Sequence, residues 1–142
     1  MGEPTDTAAL IADLDKAMQL VVRDAVASAI AAGAMPGVTG IALAPQLTEI
    51  AAAELADASR MAGRMASLGG SPSVTLKKLA PPAKAQAMLT WLADMQCQAN
   101  DAVVGAIPAD ADDAEGEATE HLLEHIVARK RDVIELLDRA QR

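Results

Sequence analysis

The sequence predicts an all-α fold, an up-down four-helix bundle, on three observations. Alanine and leucine dominate and aromatic residues make up 1% of the chain, a composition that favours helices over a packed sheet. Prolines and glycines cluster at points that divide the chain into four long segments. Each segment repeats apolar residues at 4-3-4-3 spacing, the stripe a helix turns toward its neighbours. Four such segments of about 22 to 28 residues, roughly 33 to 42 Å each at 1.5 Å per residue, fit a chain of 142 residues as one bundle domain over residues 1–142.

The first helix starts after "EPTD", capped by Asp6 or Thr5, and runs to about Ala34, where Pro36 and Gly37 end it. Residues 37–44, "GVTGIALA", then read as an apolar loop. Its Val38, Ile41 and Leu43 need cover, either by packing over the bundle end or by a subunit interface. The second helix starts near Pro45, a residue suited to a first turn, and ends at Leu68 before Gly69. "GGSPSVTLKKLAPP" is the long linker, and it joins helices two and three. The third helix runs from about Pro82 to Ile107, where Pro108 stops it. "PADADDAEGE" is an acidic loop that supplies carboxylates to the next helix N-terminus. The fourth helix runs from about Glu117 to Gln141.

Composition excludes several function classes. A net charge of −8 opposes attraction to nucleic acid, and the absence of tyrosine and phenylalanine removes base-stacking platforms. No run of about 18 or more uncharged apolar residues is present, so no membrane-spanning helix is expected. "MGEPTDTAAL" has neither a basic nor an apolar signal region, which points to the cytoplasm. The lone Cys97 cannot form an internal disulfide, and it reads as a small buried hydrophobe. Met18, Met35, Met61, Met65, Met88 and Met95 read as core filler. Gly69-Gly70 reads as a helix stop rather than a phosphate loop.

The polar intruders on the apolar stripes are the candidate functional residues. Helix two lines up Leu47, Ala51, Glu54, Ala58, Met61, Met65 and Leu68, with Glu54 the one charge. Helix three lines up Leu89, Leu92, Gln96, Ala99, Val103 and Ala106, interrupted by Gln96. Helix four lines up Leu123, Ile126, Lys130, Val133 and Leu137, interrupted by Lys130. Helix one offers Leu10, Leu14, Ala17, Val21, Asp24 and Ser28, with Asp24 as its polar member; a register through Ile11, Met18 and Ala25 is nearly as good. Buried charges must be paired or metal-bound. A ring of carboxylates alone would say metal; a lysine among them says otherwise, because an ammonium cannot ligate a cation but can neutralise Glu54 or Asp24. Glu54, Asp57 and Asp24 remain the candidate metal ligands. The competing structural reading pairs Glu54 with Lys130 and leaves Asp57 on a solvated flank. His121 and His125, four apart on one helix face beside Glu117, Glu120 and Glu124, are a candidate surface or intersubunit metal site, or else two exposed histidines.

"ELADASRMAGRMASLGGSPS", residues 54–73, resembles the second helix of bacterioferritin-type members of the ferritin-like superfamily. "EATEHLLEHIVARKRDVIELLD", residues 117–138, resembles their fourth. The resemblance implies a di-iron site made of one glutamate from each of two helices and Glu-x-x-His from each of the other two, together with iron handling and assembly into homo-oligomers. Carried over residue by residue, Glu54 matches the glutamate of the first Glu-x-x-His and Asp57 its histidine. Gln96 stands where helix three would give a glutamate. Lys130 and Val133 stand on the glutamate and histidine of the second motif, and Asp24 matches the helix-one glutamate. Leu55 stands where a haem-ligating methionine would follow the glutamate, so no haem is expected. The expectation is a ferritin-like protein, iron-related by resemblance, with a degraded di-iron site and at most one metal near Glu54 and Asp57. It would act as a scaffold or interaction protein rather than a ferroxidase. The alternative is an iron or manganese oxidase, or an iron-storage protein, with a shifted metal site.

Overall fold

The computed structural model describes residues 6–109 and 113–142. Four helices follow in order: α1 (Thr7–Ala34), α2 (Gly37–Ser67), α3 (Ala85–Ala106) and α4 (Ala114–Ala140). Asp6 caps α1, its Oδ1 accepting from the Ala9 amide at 3.1 Å; Thr5, the other expected cap, lies outside the described residues. Asp113 caps α4, accepting from the Gly116 amide at 2.7 Å. That helix therefore begins three residues before the expected Glu117, with Glu115 and Glu117 in its first turn. Residues 110–112 of the acidic loop lie outside the described residues. The third helix begins at Ala85 rather than Pro82, because Pro81 and Pro82 restrict the backbone ahead of it.

The expected loop over residues 37–44 is the start of α2. Glycines and a proline signalled a loop, and their roles are more local. Gly37 takes the left-handed conformation (φ 73°) that makes the corner after Met35 and Pro36. A Cβ on Gly40 would sit 1.8 Å from the Met35 carbonyl oxygen, so only glycine lets the first turn of α2 close against the end of α1. Pro45 lies inside the helix and gives up one backbone hydrogen bond there. Val38 and Ile41 are not covered by the bundle end; they are 83% and 80% exposed. Leu43 does pack, against the apolar cluster at that end.

The core consists of two apolar clusters. One joins Leu10, Leu14 and Val21 of α1 to Met61 and Met65 of α2, Val103 and Ala106 of α3, and Leu123 and Ile126 of α4. The other joins Ala27 and Ala31 of α1 to Leu47 of α2, Met88, Leu89 and Leu92 of α3, and Leu137 of α4. The first cluster holds the start of α1 and α4 and the end of α2 and α3. So α1 and α4 run one way and α2 and α3 the other. This is why the connection over residues 68–84 must be long: it returns the chain along the bundle before α3 begins. Gln19 of α1 pins it, donating Nε2 to the Ser73 carbonyl at 2.5 Å and accepting from the Thr75 amide at 3.0 Å.

The stripe residues of all four helices are buried as expected, apart from the half-buried Leu68 and Val133, and the six internal methionines are core. By length and composition α1 is apolar enough to cross a membrane, and 44% of its most apolar stretch is buried inside the bundle. Helices α1, α2 and α3, α4 pack closely as pairs, and α1 also packs on α3; α2 and α4 meet only loosely.

Candidate functional site

Between the two apolar clusters lies one polar layer. Asp24, Glu54, Gln96 and Lys130, one residue from each helix, are all buried at 5% exposure or less. Each occupies a stripe position, so helical periodicity alone points it inward. Lys130 Nζ donates to Asp24 Oδ2 at 2.9 Å, to Glu54 Oε2 at 2.6 Å and to Gln96 Oε1 at 2.9 Å. An ammonium carries three N–H donors, and all three are used, one on each of the other helices.

The remaining valences close locally. Gln96 turns its Nε2 to Glu54, with Oε1 at 3.0 Å and Oε2 at 3.2 Å. An amide both accepts from the ammonium and donates to the carboxylate, a double role that a glutamate at this position could not fill when ionised. Arg23 donates to Asp24 Oδ1 through Nε at 3.2 Å and Nη2 at 3.1 Å. It is itself held by the Met95 carbonyl and by Gln98, each at 2.9 Å. Two carboxylates therefore face two cations, and the layer is neutral overall. Burial pushes the Asp24 carboxyl up to about 6, above its ordinary 3.8. Lys130 pulls the other way by charge and hydrogen bond, Glu54 adds to the rise, and Arg23 opposes it.

Asp57 is a second node. It is 2% exposed, not on a solvated flank, because it lies three residues after Glu54 on the same side of α2. Its Oδ2 accepts from Arg129 Nε at 3.0 Å, and its Oδ1 accepts from Arg129 Nη2 and, at 3.1 Å, from Arg60 Nη1. The hydrogen bond to Asp57 raises the Arg129 pKa above the ordinary arginine value.

The structure thus brings Asp24, Glu54, Gln96 and Lys130 together and gives Asp57 separate partners. Val133 is half-buried and belongs to the apolar cluster at the α4 C-terminal end. His121 and His125 are exposed on α4. Cys97 is exposed, not buried: it follows Gln96 by one residue, about 100° around a helix whose Gln96 points inward. Sequence reasoning missed Arg23, Arg60 and Arg129. The signal was present, since Arg23 and Arg129 adjoin Asp24 and Lys130, and each inward carboxylate requires a cation.

These residues do not fit a pair of metal ions. Among the described residues no group of three or more histidine, cysteine, aspartate or glutamate side chains is placed to hold one. At the layer's centre the lone pairs of Asp24, Glu54 and Gln96 converge on the Lys130 ammonium, so the position a cation would take between them is already filled.

The fold is ferritin-like. The chain superimposes with a TM-score of 0.87 on a crystal structure described as that of ferritin-like, diiron-carboxylate proteins from Bacillus anthracis str. Ames, at 18% identity, covering 99% of this chain and 100% of that one. No family model and no curated protein matches the sequence.

Proposed function

We propose that this protein is a ferritin-like scaffold or interaction protein in which a lysine ammonium takes the place of the metal charge. One observation carries the reading: Lys130 Nζ spends its three N–H donors on Asp24, Glu54 and Gln96, one from each other helix. The likeness to a diiron-carboxylate protein supports an iron-handling ancestry for the fold. The substitutions at Gln96, Lys130 and Val133 argue against ferroxidase chemistry in this chain. We further propose that it works in the cytoplasm as a homo-oligomer, through its surface rather than its centre.

The competing reading is an iron or manganese oxidase with a shifted site built from Asp24, Glu54, Asp57 and a histidine of α4. It requires Asp57 to leave Arg129 and Arg60, and His125 to turn in from the surface. Metal content of the purified protein, with iron(II) oxidation followed on the same sample, decides between them. The scaffold reading expects no stoichiometric metal and no oxidation above the uncatalysed rate. Two irons per chain with fast oxidation overturns it.

A further inference from the structure

Where α2 and α4 meet loosely, a cleft of about 310 Å³ opens from the surface down to the polar layer. Its walls are Ile50 and Ala53 of α2 and Val133 and Leu136 of α4. Four carboxylates line it, Glu49, Glu54, Asp57 and Asp132, against two cations, Arg129 and Lys130. The inner charges satisfy one another: Lys130 holds Glu54 and Arg129 holds Asp57. That leaves Glu49 on the α2 side and Asp132 on the α4 side. Both are exposed, and neither has an ion-pair partner among the described residues.

An apolar slot with two unmatched carboxylates, one on each wall, selects by charge as well as by shape. A carboxylate ligand would meet Glu49 and Asp132 and find Arg129 engaged. A neutral hydrocarbon would gain the walls but leave the carboxylates unused. A bare divalent ion would gain the carboxylates and leave the walls unused. The chemistry that uses both is an organic cation with a short aliphatic body. We propose that the α2–α4 cleft is a binding site for an alkylammonium group, its ammonium held between Glu49 and Asp132 and its hydrocarbon chain along Ile50, Ala53, Val133 and Leu136. The proposed ammonium contacts, Glu49 and Asp132, are not members of the Lys130 layer, although Glu54 and Lys130 of that layer also line the cleft.

The chain supplies its own reporter. Trp91 is its one tryptophan; it does not line the cleft but packs against the same apolar cluster that Ile50 and Val133 pack against. The full-length protein is titrated with n-hexylammonium, hexanoate, hexanol and manganese(II), following Trp91 fluorescence and, in parallel, heat of binding. The expected result is saturable binding of n-hexylammonium alone. Glu49→Gln combined with Asp132→Asn should weaken it at least tenfold, and Ala53→Leu should weaken it by narrowing the slot, with helicity unchanged in each variant. Either single carboxylate substitution gives a smaller loss and serves if the double variant misfolds. Equal binding of hexanol or hexanoate, an equal response to manganese(II), affinity unchanged in the folded carboxylate variants, or no signal by either method overturns the proposal.

Discussion

Lys130 Nζ lies 2.6 Å from Glu54 Oε2 while its other two N–H donors hold Asp24 and Gln96. The contact is therefore one arm of a hub rather than an isolated ion pair. Lone buried pairs often contribute little to stability because desolvation offsets their attraction. A hub whose donors and acceptors all find partners avoids the larger penalty, an unpaired charge in an apolar interior.

Replacing Lys130 with glutamate should break this hub. The layer would then hold three carboxylates against Arg23 alone. Lys130→Glu is expected to destabilise the metal-free protein by roughly 3 to 5 kcal/mol, the range for breaking a buried pair. Manganese(II) should restore part of the loss, and more of it when Gln96→Glu is added to complete a set of ligands. Urea unfolding with and without the metal measures both effects. Unchanged stability in Lys130→Glu would remove the hub from the account of this fold.

The pH dependence of Asp24 has a definite sign. Its carboxyl titrates at about 6 in the folded protein, against 3.8 ordinarily, so the folded state binds its proton more tightly than the unfolded state does. Its stabilising contribution is complete below pH about 4 and is lost as pH rises through 6. At 1.36 kcal/mol per unit the loss is about 3 kcal/mol. Asp24→Asn cannot titrate, so the stability of the wild type relative to Asp24→Asn should fall by about that amount between pH 4 and pH 7. A difference that is flat or rises with pH would contradict the raised pKa.

Asp57 should matter less than Lys130. Its partners Arg60 and Arg129 have side chains 57% and 42% exposed, so water replaces Asp57 once it is neutralised. Asp57→Asn is expected to lose about 1.5 to 3 kcal/mol, the range for hydrogen bonds to charged groups. Chemical denaturation of the two variants side by side gives the order; a larger loss at Asp57 would make it, and not Lys130, the main electrostatic anchor.

Two glycines of α2 should respond in opposite directions. Gly40→Ala places a Cβ within 1.8 Å of the Met35 carbonyl oxygen, and backbone must move to admit it. A loss above about 2 kcal/mol is expected, as for severe overpacking. Gly63 has open space around the position of a Cβ, and Gly63→Ala should gain about 0.5 to 1 kcal/mol from helix propensity. Thermal melts of both variants check the pair, and a neutral Gly40→Ala would mean the α1–α2 corner is looser than its geometry implies.

Much of this was legible in the sequence because periodicity is a strong signal in long helices. Asp24, Glu54, Gln96 and Lys130 stand at stripe positions, and their meeting follows from the stripes alone. The start of α2 was not legible. Gly37, Gly40 and Pro45 look like loop residues, and whether a glycine breaks a helix or admits a close neighbour depends on the Met35 carbonyl, which a one-dimensional reading does not place. The arginine pairing of Asp57 was missed: Arg60 stands three residues on in the same helix, and Arg129 lies on another helix, 72 residues away.

The polar layer also sets how far each helix is inserted. The seams on either side are mostly alanine, leucine, methionine and valine, with Ile126 and the small polar Ser28 and Thr119 among them, and the apolar side chains tolerate being exchanged for one another. Such seams can slide by a turn, about 5.4 Å, with modest change in buried apolar area. The layer forbids that slide, since moving any one helix by a turn strands a carboxylate or the Lys130 ammonium opposite hydrocarbon. Depth along the bundle axis is thus encoded by four residues at one level, as a single buried polar position fixes the alignment of a coiled coil. In this chain the alignment is written into the polypeptide and can be read before any ion arrives.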